Sequence, residues 1–169
     1  MNSIIIGNII RFVGLLLLQV IVLNEIELHG FVNPYVYPLF ILLLPFETPT
    51  WLLLILAFGM GISVDIFSNT LGFHAAACVF MAFFRPLVIE LNKPRNGYEL
   101  GTKPNSNSMG FRWFFVYASL LIILHHLCYF FIEIFSFTQL IHTLMLTSIS
   151  IVISILLILV VEYLFRRFS

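Results

Sequence analysis

"WLLLILAFGMGISVDIFSNTLGFHAAACVFMAFFRP", Trp51–Pro86, sets an aspartate, a histidine and an arginine among residues otherwise apolar enough to live in lipid. Its two apolar runs are joined by Ser68–Gly72, "SNTLG", a set of turn-forming residues. A helix needs about 20 residues to cross a hydrocarbon core of about 30 Å, so the stretch reads as a helical hairpin in a membrane. The rest of the chain must then also belong there.

It does. Of 169 residues, 61% are hydrophobic and 9% charged, with a mean hydropathy of +1.08; soluble domains run at roughly 45–50% apolar and 25% charged. This is an all-α integral membrane protein. A net charge of zero and a pI of 7.0 leave a nucleic-acid partner without support. Cys78 and Cys128 fall inside apolar runs without metal-type spacing, and read as small buried or lipid-facing residues.

Six apolar runs are expected to span: Ile4–Leu23, Val32–Phe46, Trp51–Phe67, Leu71–Leu91, Phe111–Glu133 and Leu140–Phe165. The second and third are short. They meet at the prolyl turn Pro45-Phe46-Glu47-Thr48-Pro49, which suggests a two-span hairpin; the alternative is that one of them is re-entrant. No basic region precedes the first run, Arg11 lies inside it and no small-residue cleavage site follows, so it is expected to be a retained helix rather than a signal.

The basic residues give the orientation. Lys93, Arg95, Lys103 and Arg112 occupy or bracket the one long loop, and Arg166-Arg167 close the last run; by the positive-inside rule these face the cytoplasm. Six spans then place both termini inside, with Arg11 and Arg85 in the cytoplasmic halves of their helices. The segments assigned outside, Asn24–Phe31, Ser68–Gly72 and Glu133–Gln139, hold no Lys or Arg. The loop "NKPRNGYELGTKPNSNSMG", Asn92–Gly110, is expected to be a mobile connector with a turn at Asn96-Gly97, and the chain forms a single membrane domain, 1–169.

Within the opening stretch, Gly59 and Ser63 stand at i, i+4 beside Gly61, a small-residue spacing that lets helix backbones approach closely in lipid. Asp65 sits near the outer end of its helix and His74 opens the next. An intramembrane aspartate marks a functional site by default; the plainer reading is that Asp65 caps the turn. Arg85 lies about 20 Å deeper at helical rise, too deep to pair with Asp65. Glu90, Glu162 or solvent reached by snorkelling are its expected partners at the inner boundary.

Glu25, Glu27, His29, Asp65, His74, Glu133, Gln139 and His142 collect toward the outside, with His125-His126 in the outer half of the fifth run. Five histidines on one side invite a metal or haem reading. Adjacent helical histidines point about 100° apart, however, and no His-x3-His pair presents two ligands on one face. Interhelical hydrogen bonding is the plainer account. No nucleophile elbow, Gly-rich phosphate loop, HExxH or GxSxG is present, so the expectation is a non-enzyme without cofactor or metal.

The succession "LLLQVIVLNEIELHGFVNPYVYPLFILLLPFETPTWLLLILAFGMGISVDIFSNTLGFHAAACVFMAFFRP", followed by "PRNGYE", "GFRWF" and "LHHL", resembles the rod shape-determining protein family MreD in its Bacteroidetes-type form. The resemblance covers nearly the whole chain. It implies a multi-pass component of the cytoplasmic (inner) membrane that supports side-wall peptidoglycan synthesis, beside an MreC-like protein, an MreB-like filament, a RodA-like glycosyltransferase and a penicillin-binding transpeptidase. It further implies a six-helix fold akin to the substrate-binding subunits of vitamin transporters, and no enzymatic activity.

A helical body of this kind acts through its lipid-facing helices, short loops and ends, as a scaffold or adaptor. The expected docking or helix-packing residues are Gly59, Gly61, Ser63, Asp65, Gly72 and His74, with Asn33, Pro34 and Tyr35 on the same outer side. The basic loop would meet cytoplasmic partners or anionic lipid. A vitamin-capturing subunit is the alternative, with Tyr35, Tyr37, Asp65, His74, Glu133 and His142 forming an exterior pocket. A proton-coupled carrier, using Asp65, Glu133 and the histidines as a relay, is a third.

Overall fold

In lipid a backbone segment has no water to bond, so an apolar run must satisfy its own N–H and C=O groups as a helix or borrow partners from its neighbours. Both solutions occur here. The computed structural model describes residues 2–25, 34–99, 101–134 and 140–167. Helix α1 (Asn2–Leu17) widens into a π-helical stretch, Leu18–Leu23; then come α2 (Leu39–Leu42), α3 (Thr50–Ser68), α4 (Phe73–Leu91), α5 (Ser106–Met109), α6 (Phe111–Ile134) and α7 (Leu140–Arg167). No strand occurs among the described residues.

Among the described residues five helices are long and apolar enough to cross a membrane: Ile5–Leu23, Thr50–Ser68, Phe73–Leu91, Phe111–Glu133 and Leu144–Phe165. Their outward faces carry large exposed apolar side chains, including Ile9, Ile21, Phe83 and Val152. A belt of that extent is foreign to a soluble monomer and fits a lipid-facing surface. Helix α4 is central, packed between α3 and α6, and α7 lies against α6.

The second apolar run departs from the expectation of a spanning helix. Of its described residues only Leu39–Leu42 is helical, and every residue of 34–42 is buried. Pro34, Pro38 and Pro45 are the cause: each lacks an N–H, and each disfavours helical geometry in the residue before it. Instead of facing lipid, this run fills the middle of the bundle, where Tyr37, Phe40, Ile41 and Leu42 join Leu53, Met60, Met81 and Phe114 in the core. At one end of the bundle Asn24 Nδ2 donates to Ser68 Oγ at 2.9 Å. At the opposite end Gly101 N donates to Glu47 Oε1 at 3.1 Å. Segment 34–46 thus runs lengthwise between the two.

The turn after α3 forms as expected, with Asn69 (φ 53°) and Gly72 (φ 90°) in the left-handed region. Close packing of α3 on α4 uses a different glycine from the expected pair. Gly61 faces the start of α4, where an added Cβ would lie 2.6 Å from His74 O and 2.7 Å from Ala75 N. Gly59 faces open space, and Ser63 Oγ turns back to Gly59 O at 2.7 Å within its own helix. Within the chain, then, the close α3–α4 contact is made by Gly61 against Ala75 and not by Gly59 or Ser63.

The long loop is not a free connector but is folded onto the bundle. Gly97 N bonds Pro94 O at 2.9 Å in the expected turn. Trp113 Nε1 donates to Asn92 O at 2.7 Å while Asn92 Nδ2 donates to Trp113 O at 3.1 Å, clasping the two ends of the loop together. Tyr98 stacks on Phe46, with centroids 4.6 Å apart, and its hydroxyl donates to Ile89 O at 2.7 Å. Burial pushes that hydroxyl above its ordinary pKa, keeping it a donor.

Candidate functional site

Non-helical backbone inside a membrane-spanning bundle leaves N–H and C=O groups that must find side-chain partners. The polar residues set within the apolar helices supply them. Gln19, in the π-helical stretch, accepts from Val36 N through Oε1 at 2.8 Å and donates from Nε2 to Pro34 O at 3.1 Å. Ser154 of α7 accepts from Tyr35 N at 2.9 Å. Toward the other end, Tyr117 of α6 donates to Leu42 O at 3.0 Å, and Arg85 of α4 donates to Leu44 O. The segment is held at both ends by groups from the helices around it.

The end of the bundle near Asn24 and Ser68 carries the histidines. Tyr37 Oη lies 2.8 Å from His74 Nδ1 and 2.7 Å from His125 Nε2, bridging α4 and α6. A phenol has one proton, so one imidazole must accept and the other donate. His125 Nδ1 is buried without a partner among the described residues. Donation from His125 Nε2–H leaves that atom a bare lone pair, which costs less than an orphaned N–H. The neighbouring chain closes fully: Tyr35 N–H donates to Ser154 Oγ, Ser154 Oγ–H to His126 Nε2 at 3.0 Å, and His126 Nδ1–H to Ile122 O at 2.9 Å. The Tyr35 ring sits among them, 5.2 Å from His74 and from Tyr129 and 5.4 Å from His126. The expectation of interhelical hydrogen bonding holds for His126, which meets Ser154 of α7, whereas His74 and His125 bond the buried segment through Tyr37 instead of another helix.

Asp65 is a cap. From α3 it accepts His74 N at 3.2 Å and Ala75 N at 2.8 Å, the second and third residues of the helix that Gly72 opens, and Thr70 Oγ1 donates to it at 2.5 Å. Free N–H groups and the positive end of the α4 dipole hold its carboxylate. It meets the backbone of His74 and not the ring, so among the described residues no hydrogen-bonded side-chain relay runs from Asp65 into the histidines.

The inner-boundary ion pairs expected of Arg85, Glu90 and Glu162 do not form. Arg85 is 1% exposed and donates through Nε to Tyr117 Oη at 2.7 Å and through Nη2 to Leu44 O, two neutral oxygens. Its side chain points inward to the unfinished backbone rather than out to a carboxylate or to solvent. Glu90 pairs with Lys93 at 3.1 Å on the exposed surface. Glu162 accepts from Ser106 N at 3.0 Å and Ser106 Oγ at 2.8 Å, capping α5 as Asp65 caps α4.

Of the expected outer residues, the fold therefore gathers Pro34, Tyr35, Asp65 and His74, while Gly61 and Gly72 shape the α3–α4 junction. Asn33, Glu27 and His29 lie outside the described residues, as does the side chain of His142. Tyr35, Tyr37 and His74 are 2%, 0% and 3% exposed, so they form an interior rather than the open pocket a vitamin would enter. No group of three or more His, Cys, Asp or Glu among the described residues is placed to hold a metal ion. Gln19, Tyr117, Tyr129 and Ser154 were missed by sequence reasoning; their signal is a single polar group in an otherwise apolar run. No family profile, curated protein or solved structure matches the chain.

Proposed function

We propose that this chain is a non-enzymatic scaffold of the inner membrane, of the MreD type that its sequence resembles, supporting side-wall peptidoglycan synthesis and cell shape. The observation that carries the reading is the use to which the buried polar residues are put. Gln19, Arg85, Tyr117 and Ser154 bond the backbone of segment 34–44, and Asp65 and Glu162 cap helices. Groups bonded this way build a fixed body; they are not held open for a substrate. In this reading segment 34–46 is a sixth, broken passage of the bilayer beside five helical ones, and both ends of the chain face the cytoplasm with the basic loop.

Such a body offers partners its surface. The docking face is the exposed part of the outer turn, Ile66, Phe67 and Leu71, and not the buried Asp65 and His74. Leu71 is 89% exposed at the tip of a hairpin whose helices have already buried their packing residues, which suits a contact with the membrane-proximal part of an MreC-like protein. The double variant Phe67→Gln, Leu71→Gln should reach the membrane at wild-type level yet recover much less MreC-like protein on affinity purification. Undiminished recovery would sink this docking face; a cell that keeps its rod shape when the protein is depleted would sink the scaffold reading itself.

A further inference from the structure

We propose that the basic end of the bundle holds a phospholipid with a free amine in its headgroup, a phosphoethanolamine, in the groove between α1, the folded loop and α7. Two adjoining hollows of about 250 and 410 Å³ share Arg11, Leu43, Gly101, Lys103 and Pro104 as walls. Together they fall within the size range of small-molecule sites.

The charges lining the groove are of both signs. Arg11 and Lys103 line both hollows, Glu162 lines one and Glu47 the other. Among the described residues the sole ion pair is Lys93–Glu90, so neither Arg11 nor Lys103 has a carboxylate within 4.0 Å. Arg11 donates to Asn8 Oδ1 at 2.9 Å, with a long second contact of 3.5 Å to Leu43 O, and is only partly buried. Glu47 uses Oε1 on Gly101 N.

Separated and unpaired charges of opposite sign complement a zwitterion. A phosphate diester would take the guanidinium and the ammonium, for which Arg offers a planar fork of donors. A primary ammonium two carbons away would donate to the free oxygen of Glu47. A choline headgroup has no N–H to give, and a glycerol headgroup has no positive charge.

The position selects a lipid over a soluble phosphate. Arg11 is six residues inside the apolar window that begins at Ile5, about 9 Å by helical rise, where snorkelling cations meet headgroups. Ile6 and Ile10 on α1 and Leu164 on α7 are exposed on the same two helices, an apolar flank for acyl chains. This inference needs only the membrane location, not the scaffold reading.

The test is native mass spectrometry of the whole chain released from nanodiscs made of phosphatidylethanolamine, phosphatidylcholine or phosphatidylglycerol. Wild-type protein should retain phosphatidylethanolamine about tenfold better than phosphatidylcholine, the difference expected from one charge-assisted hydrogen bond. Glu47→Gln should erase that preference, and Arg11→Gln should lower retention of all three, each at an unchanged unfolding temperature. Free glycerophosphoethanolamine at millimolar concentration should displace little lipid. Equal retention of the three lipids by wild type overturns the proposal without any variant; stronger retention of phosphatidylglycerol overturns the role of the carboxylate. Full displacement by the soluble headgroup overturns the lipid as its source.

Discussion

The two ends of the buried segment solve one problem by different chemistry. At the histidine end neutral groups, Gln19, Ser154, Tyr37 and the histidines, meet both N–H and C=O groups in a network that passes each proton to a defined acceptor. At the opposite end a cation, Arg85, donates to Leu44 O and to Tyr117 Oη, and Tyr117 in turn donates to Leu42 O, so the backbone groups met there are carbonyls. The histidine end has no charge to desolvate, whereas the arginine end carries a guanidinium whose burial is expensive and is offset by strong hydrogen bonds. The comparison teaches where the chain is brittle. Removing a neutral partner strands a backbone group outright, while removing the cation relieves a cost as it creates one.

Gln19→Leu should therefore have the largest effect. It leaves Val36 N–H and Pro34 C=O unsatisfied in a dry interior, for a loss of about 3–5 kcal/mol. Thermal or SDS-induced unfolding in detergent micelles reads this directly. A loss under about 1 kcal/mol would mean that water reaches segment 34–37.

The arginine end gives a sharper ordering. Arg85→Lys keeps the charge but not the fork that reaches Tyr117 Oη and Leu44 O from two different nitrogens. It should cost about 2–3 kcal/mol. Arg85→Met removes the charge with the bonds and should cost no more than the lysine. If the methionine variant is clearly the less stable of the two, the cation stabilises this end outright and the contrast between the ends fails.

These assignments also mark what the sequence made legible. The long spans could be read because length and apolarity are local. The turn at Ser68–Gly72 and the cap at Asp65 could be read because turn residues act within a few positions of themselves. The second run could not, since its positions from Val32 to Phe46, apolar or prolyl but for Asn33, look alike whether they face lipid or fill a core. Only its prolines warned that the helix would break. Arg85 was matched to carboxylates for a related reason: a backbone carbonyl stripped of its helix leaves no mark in the sequence. Gly59 was preferred over Gly61 on spacing, but the crossing point of α3 and α4 decides which glycine is needed. The loop looked mobile by composition, and the aromatic clamp of Phe46, Tyr98 and Trp113 that pins it joins residues far apart in the chain.

Tyr37→Phe probes the histidine network more gently. It removes the hydroxyl shared by His74 and His125 while leaving the ring in place, and interhelical hydrogen bonds in membranes are worth about 0.6–2 kcal/mol each. The expected loss is about 1–2 kcal/mol, smaller than for Gln19 because imidazoles strand fewer N–H donors than a backbone does. A loss as large as that of Gln19→Leu would show that the histidines, not the glutamine, set the stability of this end.

The smallest effect should come from Arg11→Gln, and its smallness is informative. Arg11 also points at the buried segment, toward Leu43 O, but at 3.5 Å and only partly buried. A contact that long lies at the limit of a hydrogen bond, and a side chain that still meets solvent leaves no group stranded when it goes. Unfolding should shift by less than about 0.5 kcal/mol. Arg85 and Arg11 would then be two arginines at one end of one bundle with separate duties, the first completing backbone and the second holding a lipid phosphate. A large loss of stability on replacing Arg11 would merge those duties: the guanidinium would be part of the frame around segment 34–46, and any lipid released with it would reflect a disturbed fold rather than a vacated headgroup site.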